Sequence, residues 1–171
     1  MQSASPANPL PLPPPTSLPS LEVGHRFESA GRTITESDIV NFACLSGDFN
    51  RLHVDHEYAR STPFGQRIAH GLLVLSVLSG LTTQSNGYRQ LEPYVLALID
   101  INCRFPKPTF IGDTIVVRVT VTEKTEQYRP GKDKVVFRRE AVNQRGEVVV
   151  QADFAMVLRS MEGSARNRSQ T

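Results

Sequence analysis

The sequence predicts a single α+β domain in which an antiparallel β-sheet wraps around one buried helix. Three observations support this fold class: an early segment with helical period, a near-continuous apolar stretch within residues 67–84, and alternating apolar residues through the second half of the chain. The 171 residues suffice for one domain with a sizeable core. One buried helix followed by three or four long strands is typical of an α+β architecture.

Both ends of the chain are predicted to lie outside this domain, which we place at residues 21–160. Residues 1–20 are rich in proline, which has no backbone donor and cannot continue a helix or a sheet interior. We interpret them as a disordered leader; a docking peptide for an SH3-like partner is the alternative. Residues 161–171 are polar and are predicted to form a disordered tail.

The first half of the domain is predicted to contain a short strand and two main helices. His25–Arg32 is the predicted strand, and Thr35 with Asp38 forms a capping box that starts a helix ending at Gly47. A polar loop then covers Asp48–His53. The remaining predictions are a helical turn at Asp55–Arg60 and an apolar helix within Arg67–Gln84, buried on most sides.

The second half is predicted to be β. A strand at Tyr94–Phe105 ends at two prolines, and Thr114–Glu126 alternates with Ile115, Val117, Val119 and Val121 on one face. Turns at Arg129–Asp133 and Gln144–Gly146 separate the predicted strands Val135–Asn143 and Val148–Leu158.

Composition excludes several classes of protein. A formal net charge of +2 does not indicate a nucleic-acid binder. The cysteines, Cys44 and Cys103, are isolated and form no metal-binding spacing. The most apolar segment, Gly71–Leu81, is too short to span a membrane, and no secretory signal begins the chain, so we expect a cytoplasmic protein.

The loop after Gly47 carries the candidate chemistry. Asp48, Asn50 and His53 fall within six residues, and an acid beside an imidazole can hold a water molecule, one group accepting a proton while the other donates. On spacing alone, loop capping is the better interpretation of these side chains.

This stretch resembles the signature of the MaoC-like, R-specific enoyl-CoA hydratases: Ser-Gly-Asp-x-Asn-Pro-aliphatic-His, then five residues and a small one. The chain reads Ser46 to His53 in this pattern and continues to Ala59, with Arg51 where the family has proline. The resemblance extends over about residues 22–158, through Phe64–Gly71, Leu78–Gly80 and Phe105–Asp113. It implies a hot-dog fold, an antiparallel sheet around a central helix.

The resemblance also implies roles for individual residues. Asp48 and His53 would hold and activate water, and the backbone N–H of Gly71 would bind the thioester oxygen. That N–H suits the role because a helix N-terminus favours negative charge and glycine permits close approach. Ser79 would hydrogen-bond to the catalytic aspartate, although bonding back to its own helix is equally consistent. Asn50 would brace the loop.

The other histidines and Asp113 are given structural interpretations. His70 is expected to shape a loop, and His56 to lie on a solvated face beside Asp55 and Glu57. His25 and Asp113 are expected to be structural. The spacing of Asp48, His53, His56 and His70 fits no closed ligand set, so we predict no metal and no cofactor.

The predicted function is therefore hydration of a trans-2-enoyl thioester, on CoA or an acyl carrier protein, to an (R)-3-hydroxyacyl thioester. The alternatives are a hot-dog thioesterase and a non-catalytic acyl-binding or partner subunit. The expected partners are the acyl thioester and a second copy of the chain, as a homodimer or a dimer of dimers.

Overall fold

The computed structural model of the protein describes residues 21–160, so the predicted leader and tail lie outside the described residues. The strands are β1 (Arg26–Glu28), β2 (Arg32–Thr33), β3 (Val95–Arg104), β4 (Thr114–Arg129), β5 (Lys132–Asn143) and β6 (Val148–Arg159). The helices are α1 (Glu36–Ser46), α2 (Arg51–Val54), α3 (His56–Arg60), α4 (Gly71–Gln84) and α5 (Asn86–Arg89), with a 3-10 turn at Glu92–Tyr94.

The strands form one antiparallel sheet in the order β1-β4-β5-β6-β3, and β2 pairs with the start of β4. β4, β5 and β6 follow one another along the chain because short turns join them. β3 instead pairs with β6, the last strand, and stands at the sheet edge. Chain order and strand order thus differ at the strand that precedes the long connection to β4.

The core lies between the sheet and α4, as the sequence predicts. Alternate residues of β4 are buried on the face towards the helix, and α4 packs against β4, β5 and β6. The apolar residues that meet there include Ile115, Val117, Val119, Val121, Leu73, Val74, Val77, Leu78 and Leu81. This is the predicted α+β arrangement, with the sheet wrapped on one helix. Within residues 21–160, no helix is long and apolar enough to cross a membrane.

Two predicted elements need correction. The single strand at His25–Arg32 is two short strands, because the N–H of Val117 bonds the Ser29 hydroxyl and not its carbonyl, although the Ser29 N–H still donates to the Val117 carbonyl. The apolar helix, by contrast, occupies Gly71–Gln84, inside the predicted stretch Arg67–Gln84. The polar loop at Asp48–His53 contains the single helical turn α2, which is too short to show a period in sequence.

Candidate active site

The first half of the site is the connection between α1 and α2. The capping box of Thr35 and Asp38 starts α1, as predicted, and Gly47 ends it in the left-handed region at φ 75°. The hydroxyl of Ser46 accepts the backbone N–H of Asp48 at 3.2 Å, and Asp48 Oδ1 accepts the N–H of Asn50 at the same distance. These bonds present the Asp48 carboxylate at an exposed position on a tightly turned loop.

Asn50 caps α2 and thereby places His53. Its Oδ1 accepts the N–H of Leu52 at 3.0 Å, which supports the predicted bracing role. His53 Nδ1 lies 2.8 Å from the carbonyl oxygen of Ile68. A carbonyl only accepts, so Nδ1 carries the proton and donates it. In the neutral ring, Nε2 is then left with a free lone pair.

The surroundings of His53 keep its ring neutral. Burial lowers the pKa of His53 below its usual 6.5, and the neighbouring His70 lowers it further. The carbonyl of Ile68 and the charge of Asp48 act in the opposite direction without reversing the shift. At neutral pH His53 therefore presents a basic nitrogen to the site.

The structure brings Asp48 and His53 together and adds His70 to them. One donor atom from each of these residues lies within 4.8 Å of the other two. The sequence analysis considered these three residues together with His56 and rejected a ligand set on their spacing; the structure gathers the three, and His56 is not a member. Of the described residues these three could hold a metal ion, and the same spacing also suits a bridging water.

Gly71 stands at the N-terminus of α4 with its N–H unengaged by any hydrogen bond of residues 21–160. His70 occupies the cap position but forms no side-chain cap bond. A methyl group at Gly71 would lie 2.9 Å from Cε1 of Phe105, too close for a real contact. A side chain at this position would force the exposed Phe105 ring or the start of α4 to shift, whereas with glycine the N–H and the helix dipole remain available to an anionic oxygen.

A pocket of about 330 Å³ joins His53 to Gly71. Its walls are mostly apolar, with Lys107 and Thr109 as further polar members. The complete lining is His53, Phe64, Ile68, Ala69, Gly71, Val74, Phe105, Pro106, Lys107, Pro108, Thr109, Val149 and Val150. An apolar cleft with a few convergent polar groups is the usual form of a small-molecule site.

The geometry agrees with comparisons to known proteins. The MaoC like domain matches residues 20–144, which is most of the chain. The chain belongs to the MaoC-like family. The (R)-specific enoyl-CoA hydratase of Rhodospirillum rubrum is 36% identical over 130 residues, covering 76% of this chain and 83% of that protein.

Two further relatives define how far the likeness reaches. Protein MaoC of Klebsiella aerogenes is 37% identical over 114 residues, which cover 67% of this chain but only 33% of that longer protein. The crystal structure of the MaoC-like dehydratase from Rhodospirillum rubrum has a TM-score of 0.71 at 31% identity, covering 81% of this chain and 93% of its own. The fold is thus the hot-dog fold that the sequence predicts.

Two further residues of the family-like segments are Ser79 and Arg51. Ser79 is half-buried on α4, about 12 Å along the helix from Gly71 at 1.5 Å per residue, and forms no hydrogen bond to Asp48 within the described chain. Its role stays a prediction. Arg51, where the family has proline, pairs with Asp55 at 2.9 Å and lies over the ring of Tyr58 at 4.3 Å.

Sequence reasoning did not predict the contacts of Phe105 and His70. Phe105 belongs to a family-like segment, but only the fold shows that its ring covers Gly71. His70 was interpreted as a loop-shaping residue, and in the structure it binds the carbonyl of Asp48. Its position directly before Gly71 was the available signal. Asp113, expected to be structural, accepts hydrogen bonds from Phe110, Gln144 and Arg145.

Proposed function

We propose that this MaoC-like chain adds water to a trans-2-enoyl thioester to give an (R)-3-hydroxyacyl thioester. One observation carries the proposal: a carboxylate oxygen of Asp48 and a ring nitrogen of His53 lie within 4.8 Å of each other, beside an apolar pocket that Gly71 also lines. The likeness to an (R)-specific enoyl-CoA hydratase supports it.

The two acceptors suit a water molecule that must attack through oxygen. Two hydrogen bonds of ~2.8 Å, bent at the water oxygen, span roughly 4.5 Å, which is compatible with a separation within 4.8 Å. Water that donates both protons to Asp48 and His53 directs a lone pair away from them, towards C3 of the substrate. Neutral His53 can then accept a proton as general base.

The remaining steps balance without a redox partner. As the C3–O bond forms, electron density moves to the thioester oxygen, where the Gly71 N–H and the α4 dipole stabilise it. The enolate collapses as C2 takes a proton from the Asp48–His53 pair. No group is oxidised or reduced overall, so the proposal includes no cofactor. Dehydration uses the same groups in reverse.

Substrate binding is proposed to divide between the pocket and its rim. The apolar walls, including Val74, Val149 and Val150, suit the acyl chain. Lys107 also lines the pocket and would interact favourably with a phosphate of CoA or of the acyl carrier protein prosthetic group. The pocket geometry is compatible with either carrier.

The test is an assay of the purified protein with crotonyl-CoA and a longer enoyl-CoA. Ultraviolet absorbance of the conjugated double bond should fall, no free thiol should appear, and the product should be the R isomer. Thiol release with the double bond intact would favour a thioesterase. Lack of turnover across chain lengths and both carriers would favour an acyl-binding subunit.

We further propose that the protein is a homodimer that pairs through β3. This strand stands at the sheet edge and exposes a run of apolar side chains: Leu96, Leu98, Ile99 and Ile101. An exposed apolar edge strand is a template for pairing with another strand, and a second copy supplies one. Light scattering should give a dimer, and Ile99→Lys should weaken it; a fully active monomer at low concentration would contradict the proposal.

A further inference from the structure

His70 combines several unusual properties outside the Asp48–His53 pair. It is only 2% exposed, although it directly precedes the helix that carries Gly71. It stands at the cap position of α4, yet its side chain turns away from the helix and caps nothing. It also does not line the pocket. Burial of a polar ring requires partners elsewhere, because an unbonded polar group is costly in the interior.

The partners of His70 are the two parts of the proposed water site. Its Nε2 lies 3.0 Å from the carbonyl oxygen of Asp48, which makes Nε2 the protonated, donating nitrogen. Its ring centroid is 3.8 Å from that of His53, with the planes tilted by 32°. On another side it packs on Phe42 of α1 at 5.0 Å. One side chain thus contacts both residues that would hold the water.

We propose that His70 is a positioning residue that fixes the water-holding pair relative to the Gly71 N–H. The chain itself makes this link, since residue 70 adjoins residue 71. The bonds of Asp48 with Ser46 and Asn50 stay within one turn, whereas Ile68 holds Leu52 and His53 from outside it, and His70 does the same for Asp48. Only contacts from outside the loop, such as the one from His70, can set its distance from α4. The inference rests on the proposed function.

The chemistry of the ring fits positioning and not proton transfer. Nε2 is committed to the Asp48 carbonyl, and Nδ1 is buried without a hydrogen-bond partner among the described residues. A ring held in this way acts on the water through the residues that it contacts, Asp48 and His53. Its contribution would come through geometry, where a misplacement of ~1 Å at a reacting group costs on the order of 10²-fold in rate.

The experiment compares two substitutions of His70 with a control in the sheet. His70→Gln keeps an amide N–H at the reach of Nε2, whereas His70→Leu removes the donor and retains an apolar side chain. Val117→Ala, in the buried face of β4, destabilises the fold without touching the site. Each variant is measured for kcat, KM, thermal midpoint, and hydrogen exchange of the backbone amides of residues 48–54.

His70→Leu should lower kcat by about 10–100-fold, the usual effect of losing a residue that orients a catalytic group, with KM little changed. Its loop amides should exchange faster, and His70→Gln should restore most of both properties. Val117→Ala should keep kcat despite an equal or larger loss of thermal midpoint.

Three results would overturn the inference. Equal impairment by Gln and Leu would show that the imidazole itself is required. An unchanged kcat in His70→Leu would show that the link does not position the pair. Unchanged exchange of the loop amides in His70→Leu would do the same without any substrate, so the inference can fail on a readout separate from the proposed hydration. If the wild-type protein showed no turnover, that result would count against the proposed function.

Discussion

The loop-and-helix segment at residues 47–71 and the three-stranded region β4-β5-β6 follow different rules. In the sheet, the first half of β4 and most of β5 alternate buried and less buried residues, β6 is buried along most of its length, and α4 packs against the apolar face of β4. At residues 47–71 polar groups are left available: the exposed Asp48 carboxylate and the Gly71 N–H, which has no hydrogen-bond partner among residues 21–160. The sheet is arranged for stability, whereas the loop keeps groups free to act on a ligand.

The largest effect on activity is expected from removing the two proposed water partners, Asp48 and His53. Asp48→Asn keeps size and removes the charge, and His53→Ala removes the basic nitrogen. Each should lower kcat for enoyl-CoA hydration by roughly two to four powers of ten, the weight of a positioned acid or base. His53→Ala also loses the bond to Ile68, at a stability cost of about 1 kcal/mol.

The matched control for this pair is Val117→Ala. It creates a cavity in the sheet and should lower the free energy of unfolding by about 1–3 kcal/mol while leaving kcat unchanged. Denaturant titration and steady-state kinetics on the same samples check both. If the sheet variant lost turnover, or the loop variants lost only stability, the assignment of stability to the sheet and activity to the loop would be wrong.

The next effect concerns the close contact between Gly71 and Phe105. Gly71→Ala would place a methyl group 2.9 Å from the Phe105 ring, so the start of α4 or the ring must shift. We expect kcat/KM to fall by about 10–100-fold, because the N–H donor leaves its position.

Gly80→Ala is the control on the same helix. A methyl group there meets nothing within 4 Å, so the change should stabilise the protein by about 0.5–1 kcal/mol and leave activity intact. Adding Phe105→Ala to Gly71→Ala should recover part of the loss. Full activity in Gly71→Ala would show that the Phe105 ring moves aside and that the N–H keeps its position without glycine.

A smaller effect follows from the neutral state of His53. Its pKa is lowered in the folded protein by burial, so the free base persists as the pH falls through 6.5 and is lost only below it. The acid limb of kcat/KM should therefore lie below pH 6.5. The lowered pKa also affects the free energy of unfolding. The stabilising contribution of neutral His53 is complete above pH 6.5 and disappears as the pH falls through the folded pKa. An acid limb above 6.5 would contradict this assignment.

Arg51 should give the smallest effect. It is the first residue of α2, Asn50 before it is extended at ψ 132°, and no hydrogen bond of the described chain uses its N–H. Proline fits such a position. The ion pair that Arg51→Pro would lose is exposed and contributes little, so the thermal midpoint and kcat should both stay near wild type. A tenfold loss of activity, in this variant but not in Arg51→Lys, would give Arg51 a role of its own.

Much of the fold could be predicted because local pattern and tertiary contact agree there. Ile115, Val117, Val119 and Val121 alternate in sequence and face α4 in the structure. The capping box at Thr35 and the stop at Gly47 are equally local. The helical turn α2 was missed because four residues carry no period, and the split first strand depends on where Ser29 meets Val117.

The site was predictable only in part, because only some of its contacts are local in sequence. Asp48, Asn50 and His53 belong to one motif along the chain, so the sequence alone identifies them as candidate site residues. The contacts of His70 with the Asp48 carbonyl, and of Phe105 with Gly71, join segments 22 or more residues apart. No local pattern encodes those distances; they follow from the way α4 and the β3–β4 connection pack beside the loop.

The most direct test of the central claim, that Asp48 and His53 act as one unit on one water molecule, is a double-mutant cycle. It measures kcat/KM of wild type, Asp48→Asn, His53→Ala and the double variant with the same enoyl-CoA. If both residues hold the same water, removing either abolishes the arrangement, and the double variant should be little worse than the weaker single variant. Losses that multiply, so that their free energies add, would show two independent contributions and contradict the account.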